Sequence, residues 1–314
     1  MANTLGGFRA AAVIGAIALS GVGIGYALVK GIPLQTALPV IAAFLAEYPF
    51  YLVAGFPEVR ERLAGPRLPV WLAASAILPY LICCCGGIPF QWLALTRLAA
   101  LAIAVCFWYA ILPAAPWSDG AFLVLIAAVM VGKYFDFIYP DVYRQHIAIL
   151  GHIGLFHMAL LSLMLERRVP ETGFGFLPTG REWRIGIVNF LFFVPCGAVL
   201  AVALHATHFV SPRLLWASAT FVGFLWVLGL AEEFFFRGVL LGWMEDWTGH
   251  ATAALALNSI LFGLVHFWFR GWPWVPIAAV MGWFCGRARN QAGSIRAGVV
   301  THALVVATWR AFLW

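Results

Sequence analysis

From Leu215 to Leu230 the chain carries no charged residue, and the run ends in Ala231-Glu232-Glu233-Phe234-Phe235-Phe236-Arg237. One ionised Asp, Lys or Arg at the centre of a membrane helix costs roughly 2.5–3.5 kcal/mol on insertion scales. Three ionised groups closing such a run are tolerable where they face a protein interior or a wet cavity rather than lipid. The cluster is therefore the first candidate site, and the remaining segments read as its housing.

Composition extends this reading to the whole chain. Of 314 residues, 63% are hydrophobic and only 10% charged, against about 25% charged in a soluble domain. The expected fold is all-α, a polytopic transmembrane bundle of about 9–11 helices with the site in a cavity of the C-terminal helices. The apolar segments fall near 8–29, 33–55, 68–88, 90–112, 121–132, 145–165, 185–206, 214–241, 251–268, 273–286 and 297–312. The segments 121–132 and 273–286 are short for a crossing, which takes about 20 residues. The run Ala10–Val29 is too long for a signal-peptide core and reads as a first membrane helix.

The basic balance, 19 Lys+Arg against 13 Asp+Glu, is concentrated in short loops. It reads as a topology signal and as contact with lipid headgroups, not as a nucleic-acid surface. Arg60, Arg62 and Arg67 lie in one loop; Arg167, Arg168, Arg181 and Arg184 in another; Arg287, Arg289 and Arg296 in a third. Placing all three on the cytoplasmic side puts the N-terminus inside and the C-terminus outside. It also puts the Glu232 cluster towards the cytoplasmic end of its helix. The second loop holds Pro170, Gly173, Gly175, Pro178 and Gly180, a turn-rich connector that divides a module 1–169 from a module 170–314. Cys83, Cys84, Cys85, Cys106, Cys196 and Cys285 lie in or beside apolar runs without metal-ligand spacing, and read as small buried hydrophobes.

Ionisable residues at membrane depth are the informative ones. In the N-terminal module, Glu47, Arg97, Asp136, Asp141, His146, His152 and His157 are dispersed, and read as interface anchors or interhelical hydrogen bonds. His205 and His208, at a span end, read as structural. The C-terminal module groups its ionisable residues in three places. Glu233 and Arg237 stand at i and i+4, the ion-pair spacing; at 100° per residue Glu232 turns away from the Arg and faces a cavity. His266 closes Phe262-Gly263-Leu264-Val265-His266, and His302 follows Thr301 in the last span.

A carboxylate and an imidazole together can bind a water, remove its proton and aim it at a carbonyl. A second imidazole can donate to the oxyanion that forms. There is no GxSxG nucleophile elbow and no HExxH zinc helix in the sequence. No cofactor is called for, although a Glu, two His and a water is also a donor set that can hold a metal.

At these residues the chain resembles the CPBP intramembrane protease family, also called Abi proteins, which is related to the Ras-converting CAAX endopeptidase. That family shows EExxxR, FxxxH and HxxxN/D in order on separate membrane helices. Glu232, Glu233 and Arg237 match the first motif, and Phe262 and His266 the second. The third is half matched: His302 is present, but Val306 stands where the family has Asn or Asp. The resemblance covers roughly 183–314. It implies a glutamate-type endopeptidase in which Glu232 and His266 activate water and His302 stabilises the oxyanion. Glu233, Arg237 and Phe262 would support the site, and Asn258, Thr301 or Thr308 are candidates to replace the missing Asn. It further implies membrane lipid and a membrane-embedded or lipidated peptide as partners. The expected setting is a bacterial plasma membrane, with the N-terminus cytoplasmic. Two other functions compete: an inactive membrane scaffold or immunity protein, favoured by Val306, and a transporter using the same groups as a proton relay.

Overall fold

The computed structural model describes residues 5–140, 147–208 and 210–312; Asp141 and His146 lie outside them. The described residues are helical, with no strand. The chain divides into two compact units, Met1–Val169 and Pro170–Trp314.

The N-terminal unit is built from α1 (Leu5–Lys30), α2 (Leu34–Val53), α3 (Leu68–Cys83), α4 (Trp92–Cys106), α5 (Pro116–Val131) and α6 (Ala148–Glu166). Helix α6 is its interior: it packs against α2, α3 and α4, and most of its side chains are buried. Helix α1 is the opposite case. It packs chiefly on α2 and turns Val13, Ile14, Ile17, Val22 and Val29 outward. Apolar side chains facing out on a polytopic chain are the lipid-facing surface.

The C-terminal unit contains α7 (Gly180–Ala203), α8 (Leu214–Thr248), α9 (Ala251–Arg270), α10 (Trp274–Ala292) and α11 (Ile295–Phe312). Helix α10 packs against α7, α9 and α11, and α11 against α7 and α8. Their common core holds Phe193, Phe262, Ile277, Met281, Cys285 and Val305. Lipid is as apolar as Leu, so helix association in a membrane rests on close packing more than on burial. Small residues supply that closeness. A Cβ on Gly186 would overlap Val300, and one on Gly263 would overlap Ala279.

Among the described residues, six helices are long and apolar enough to cross a membrane: α1, α2, α6, α7, α8 and α9. A seventh arises if Pro57–Leu63 and α3, bent by 103°, form one broken span. Helices α4 and α5 are apolar but shorter. Helices α10 and α11 carry Arg287, Arg289, Arg296 and Arg310 and lie inside the unit.

Helix α7 starts on a capping box. Thr179 Oγ1 accepts from the Glu182 backbone N–H, and Glu182 Oε2 accepts from the Thr179 N–H at 2.6 Å. Glu182 also pairs with Arg296 at 2.9 Å, tying the start of α7 to the start of α11. Helix α8 runs on past the expected end at 241 to Thr248, where Gly249 caps it at φ 67°. Glu232 therefore lies near the middle of its helix, not towards its end. The extension follows from contacts that local sequence does not show. Leu241 packs on Ala254 and Leu255 of α9, and Arg289 of α10 neutralises Glu245 at 3.2 Å.

Candidate active site

Helix α8 is irregular where its charges lie. Regular α-helix breaks at Val227 (φ −129°, ψ −82°) and resumes over Leu228–Glu233. It then widens into π-helix over Phe234–Leu240. Wide turns of this kind recur at functional sites because they re-aim side chains without ending the helix. Glu233 and Arg237 are wholly buried and bonded at 3.0 Å. Glu232, one residue earlier, keeps 36% of its side-chain surface exposed. The two neighbouring carboxylates thus occupy different environments, one locked in the interior and one open.

His302 of α11 meets both. Its Nδ1–H donates to Glu233 Oε1 at 2.9 Å, the oxygen that also accepts from Arg237 Nη1. Its Nε2 faces Glu232 Oε2 at 3.7 Å. The opposite side of the turn that carries His302 is pinned by Thr301, whose hydroxyl bonds the Gly186 carbonyl of α7 at 2.9 Å.

His266 of α9 closes the set. Its Nδ1–H donates to the Phe262 carbonyl one turn back at 2.8 Å, leaving Nε2 open. Glu232, His302 and Arg237 are near enough to act on its charge. Phe262 is the hub between the three helices. Its ring lies 4.1 Å from the Arg237 guanidinium carbon, 4.7 Å from the His266 ring and 5.8 Å edge-on to the His302 ring. A cation over an aromatic face is worth up to about 2 kcal/mol when desolvated, so the Phe at this position holds the Arg as well as filling space.

The buried ion pair needs room, and two glycines give it. A Cβ on Gly298 of α11 would come within 2.7 Å of Glu233 Oε2, and one on Gly282 of α10 within 2.9 Å of Arg237 Nη2. Cys285 of α10 borders the same space. The donor atoms of Glu233, Cys285 and His302 lie within 4.8 Å of one another. Their thiol, imidazole and carboxylate are ligand types suited to zinc. This differs from the set expected in the sequence, since it uses Glu233 and Cys285 in place of Glu232 and His266. The reason is the imidazole orientation: Nδ1 of His302 points to Glu233. Glu233 Oε1 also accepts from the Arg237 guanidinium, so a positive charge already lies beside these three donors.

The expected accessory groups are committed elsewhere. Asn258 Nδ2 donates to the Phe236 carbonyl at 2.9 Å, bracing the π-helix, and Thr301 is turned to α7. Val306, one turn beyond His302, offers no donor. The π-helix, Gly282, Gly298 and Cys285 were not singled out in the sequence. The one available signal was the Gly282-x-x-x-Gly286 spacing of close helix packing.

Residues 214–308, from the first residue of α8 into α11, match the family model described as Type II CAAX prenyl endopeptidase Rce1-like. That segment contains all three helices of the cluster, and the match supports the CPBP/CAAX protease family assignment. Searches of curated proteins and of solved structures returned no match.

Proposed function

We propose, from the match of residues 214–308 to the Rce1-like CAAX prenyl endopeptidase model, that this chain is an intramembrane endopeptidase cleaving near the C-terminus of a membrane-embedded or lipidated peptide. The observation that carries the reading is the position of His302. It joins the buried Glu233–Arg237 pair through one nitrogen and faces the open Glu232 through the other, at 2.9 and 3.7 Å.

Water held between Glu232 and His266 Nε2 loses a proton to Glu232 as it attacks the scissile carbonyl, and that proton passes to the amine nitrogen as the C–N bond breaks. His266 is suited to this because its Nδ1–H is fixed on the Phe262 carbonyl, which leaves a lone pair on Nε2. His302 with a proton on each nitrogen donates from Nε2 to the forming oxyanion. In that state Glu232, Glu233, Arg237 and His302 sum to zero formal charge, which is what a buried ionic group requires. Glu233 and Arg237 do not touch the reacting atoms; they fix the imidazole that does. The C-terminal unit is then the proteolytic module. The proposed setting is a bacterial plasma membrane with the Arg-bearing loops and the N-terminus on the cytoplasmic side, a reading supported by the excess of Arg in those loops.

The test is incubation of the purified protein with candidate membrane peptides and mass spectrometry of the products. New C-termini from wild type and none from Glu232→Ala are expected. Equal cleavage by the two proteins sinks the proposal. Val306 favours a second reading, a non-catalytic scaffold, which predicts full biological function in Glu232→Gln and no cleavage by wild type.

A further inference from the structure

The arginines of the C-terminal unit are not all used in the same way. Arg181 and Arg184 stand at the start of α7, Arg287 and Arg289 near the end of α10, and Arg296 at the start of α11. Two of them are neutralised: Arg296 pairs with Glu182 at 2.9 Å and Arg289 with Glu245 at 3.2 Å. The other three have no carboxylate within 4.0 Å among the described residues. Arg181 Nη2 donates to the Gln291 carbonyl at 3.0 Å, a neutral acceptor. Arg287 lies over the Phe192 ring, 5.2 Å from its centroid. Arg184 is exposed and makes no hydrogen bond among the described residues. Helices α7 and α10 hold no spare carboxylate either, since Glu182 is the one acidic residue in their combined sequence and Arg296 takes it.

The three share one flank of the unit. At 100° per residue, Arg181 and Phe192 fall about 20° apart around α7, so Arg287 over Phe192 lies on the side that Arg181 occupies. Arg184 is nearly one turn on from Arg181 and about 60° round. Helices α7 and α10 pack along this line, where Asn189 Nδ2 bonds Gln291 Oε1 at 2.9 Å. Next to the arginines, α7 turns Ile187, Val188, Leu191 and Phe192 outward. Outward apolar side chains on a membrane helix face lipid, and an Arg at its end keeps its stem along them with its charge at headgroup level. We propose that Arg181, Arg184 and Arg287 bind the headgroup of an anionic phospholipid whose acyl chains lie along Leu191 and Phe192. Charge complementarity names the occupant: three guanidiniums without a carboxylate stand above an apolar face at the end of a membrane helix. Basic clusters at this level attract anionic headgroups, and the guanidinium fork matches phosphate oxygens in pairs. The site lies outside the catalytic cluster and does not rest on the endopeptidase reading.

The experiment is native mass spectrometry of the full chain in neutral detergent, titrated with phosphatidylglycerol and, separately, with phosphatidylcholine. The first phosphatidylglycerol is expected to bind roughly tenfold more tightly than the first phosphatidylcholine, with the preference falling as ionic strength rises. In Arg184→Gln/Arg287→Gln the phosphatidylglycerol affinity is expected to drop roughly tenfold, with phosphatidylcholine unchanged. Arg62→Gln/Arg67→Gln removes the same charge from exposed positions of the N-terminal unit and is expected to keep the preference. Should the first double variant fail to fold, Arg184→Gln alone removes a side chain without a hydrogen bond among the described residues and is expected to cost roughly fivefold. Equal affinities of wild type for the two lipids overturn the proposal. So does an equal loss in the two double variants, which would mark diffuse charge rather than a site. Displacement of phosphatidylglycerol by millimolar inorganic phosphate would assign the arginines to a soluble anion and overturn it as well.

Discussion

Both units bury ionisable residues in apolar helices, but they treat them differently. In the N-terminal unit Glu47 of α2 is 1% exposed, and neither carboxylate oxygen has a hydrogen-bond partner among the described residues. His157 of α6 bonds Ser75 Oγ of α3 at 2.8 Å and stacks on Phe50. In the C-terminal unit one carboxylate, Glu233, is shared by an Arg and a His from another helix, and a second carboxylate stands 3.7 Å from that His. Depth alone thus marks a residue as costly. Convergence of complementary charges on one point is what marks a site.

Removal of one partner should separate the two cases most strongly. Arg237→Met leaves Glu233 buried beside His302 alone and should destabilise by about 3–5 kcal/mol. Thermal unfolding of the purified protein checks this, and an unchanged midpoint would show that the pair is not part of the framework. Gly298→Ala should follow, at about 1–3 kcal/mol, because its Cβ crowds the Glu233 carboxylate; cleavage should fall along with the unfolding midpoint. Phe262→Leu stays apolar but loses the aromatic face over Arg237, a change of up to about 2 kcal/mol on top of the lost packing. Glu47→Met should have the smallest effect and the opposite sign, neutral or slightly stabilising, because it removes a buried polar group that has no hydrogen-bond partner among the described residues. A large loss there would reveal a partner for Glu47 and erase the contrast.

Much of this site was legible because it rests on local spacing. The i,i+4 separation of Glu233 and Arg237 implies their pairing, and the 100° step separates Glu232 from them. His266 and His302 stood out as ionisable groups in apolar runs. The parts that were not legible depend on distant neighbours. The π-helix over Phe234–Leu240 is braced by Asn258 of α9. The length of α8 depends on Arg289, 44 residues beyond Glu245. The fit of the buried pair depends on Gly282 and Gly298, which look like ordinary packing glycines in the sequence. Helices α4, α5, α10 and α11 showed as apolar segments, but their shortness or enclosure leaves six or seven segments long and apolar enough to cross among the described residues.

The most direct test compares Glu232→Gln with Glu47→Gln in the peptide-cleavage assay, with unfolding midpoints measured on the same preparations. Glu232→Gln should lower the rate roughly 10²–10⁴-fold, the range for loss of a general base, at an unchanged midpoint, while Glu47→Gln should cleave like wild type. Wild-type rates in Glu232→Gln, or an equal loss in both variants, would contradict the assignment of catalysis to the convergent cluster.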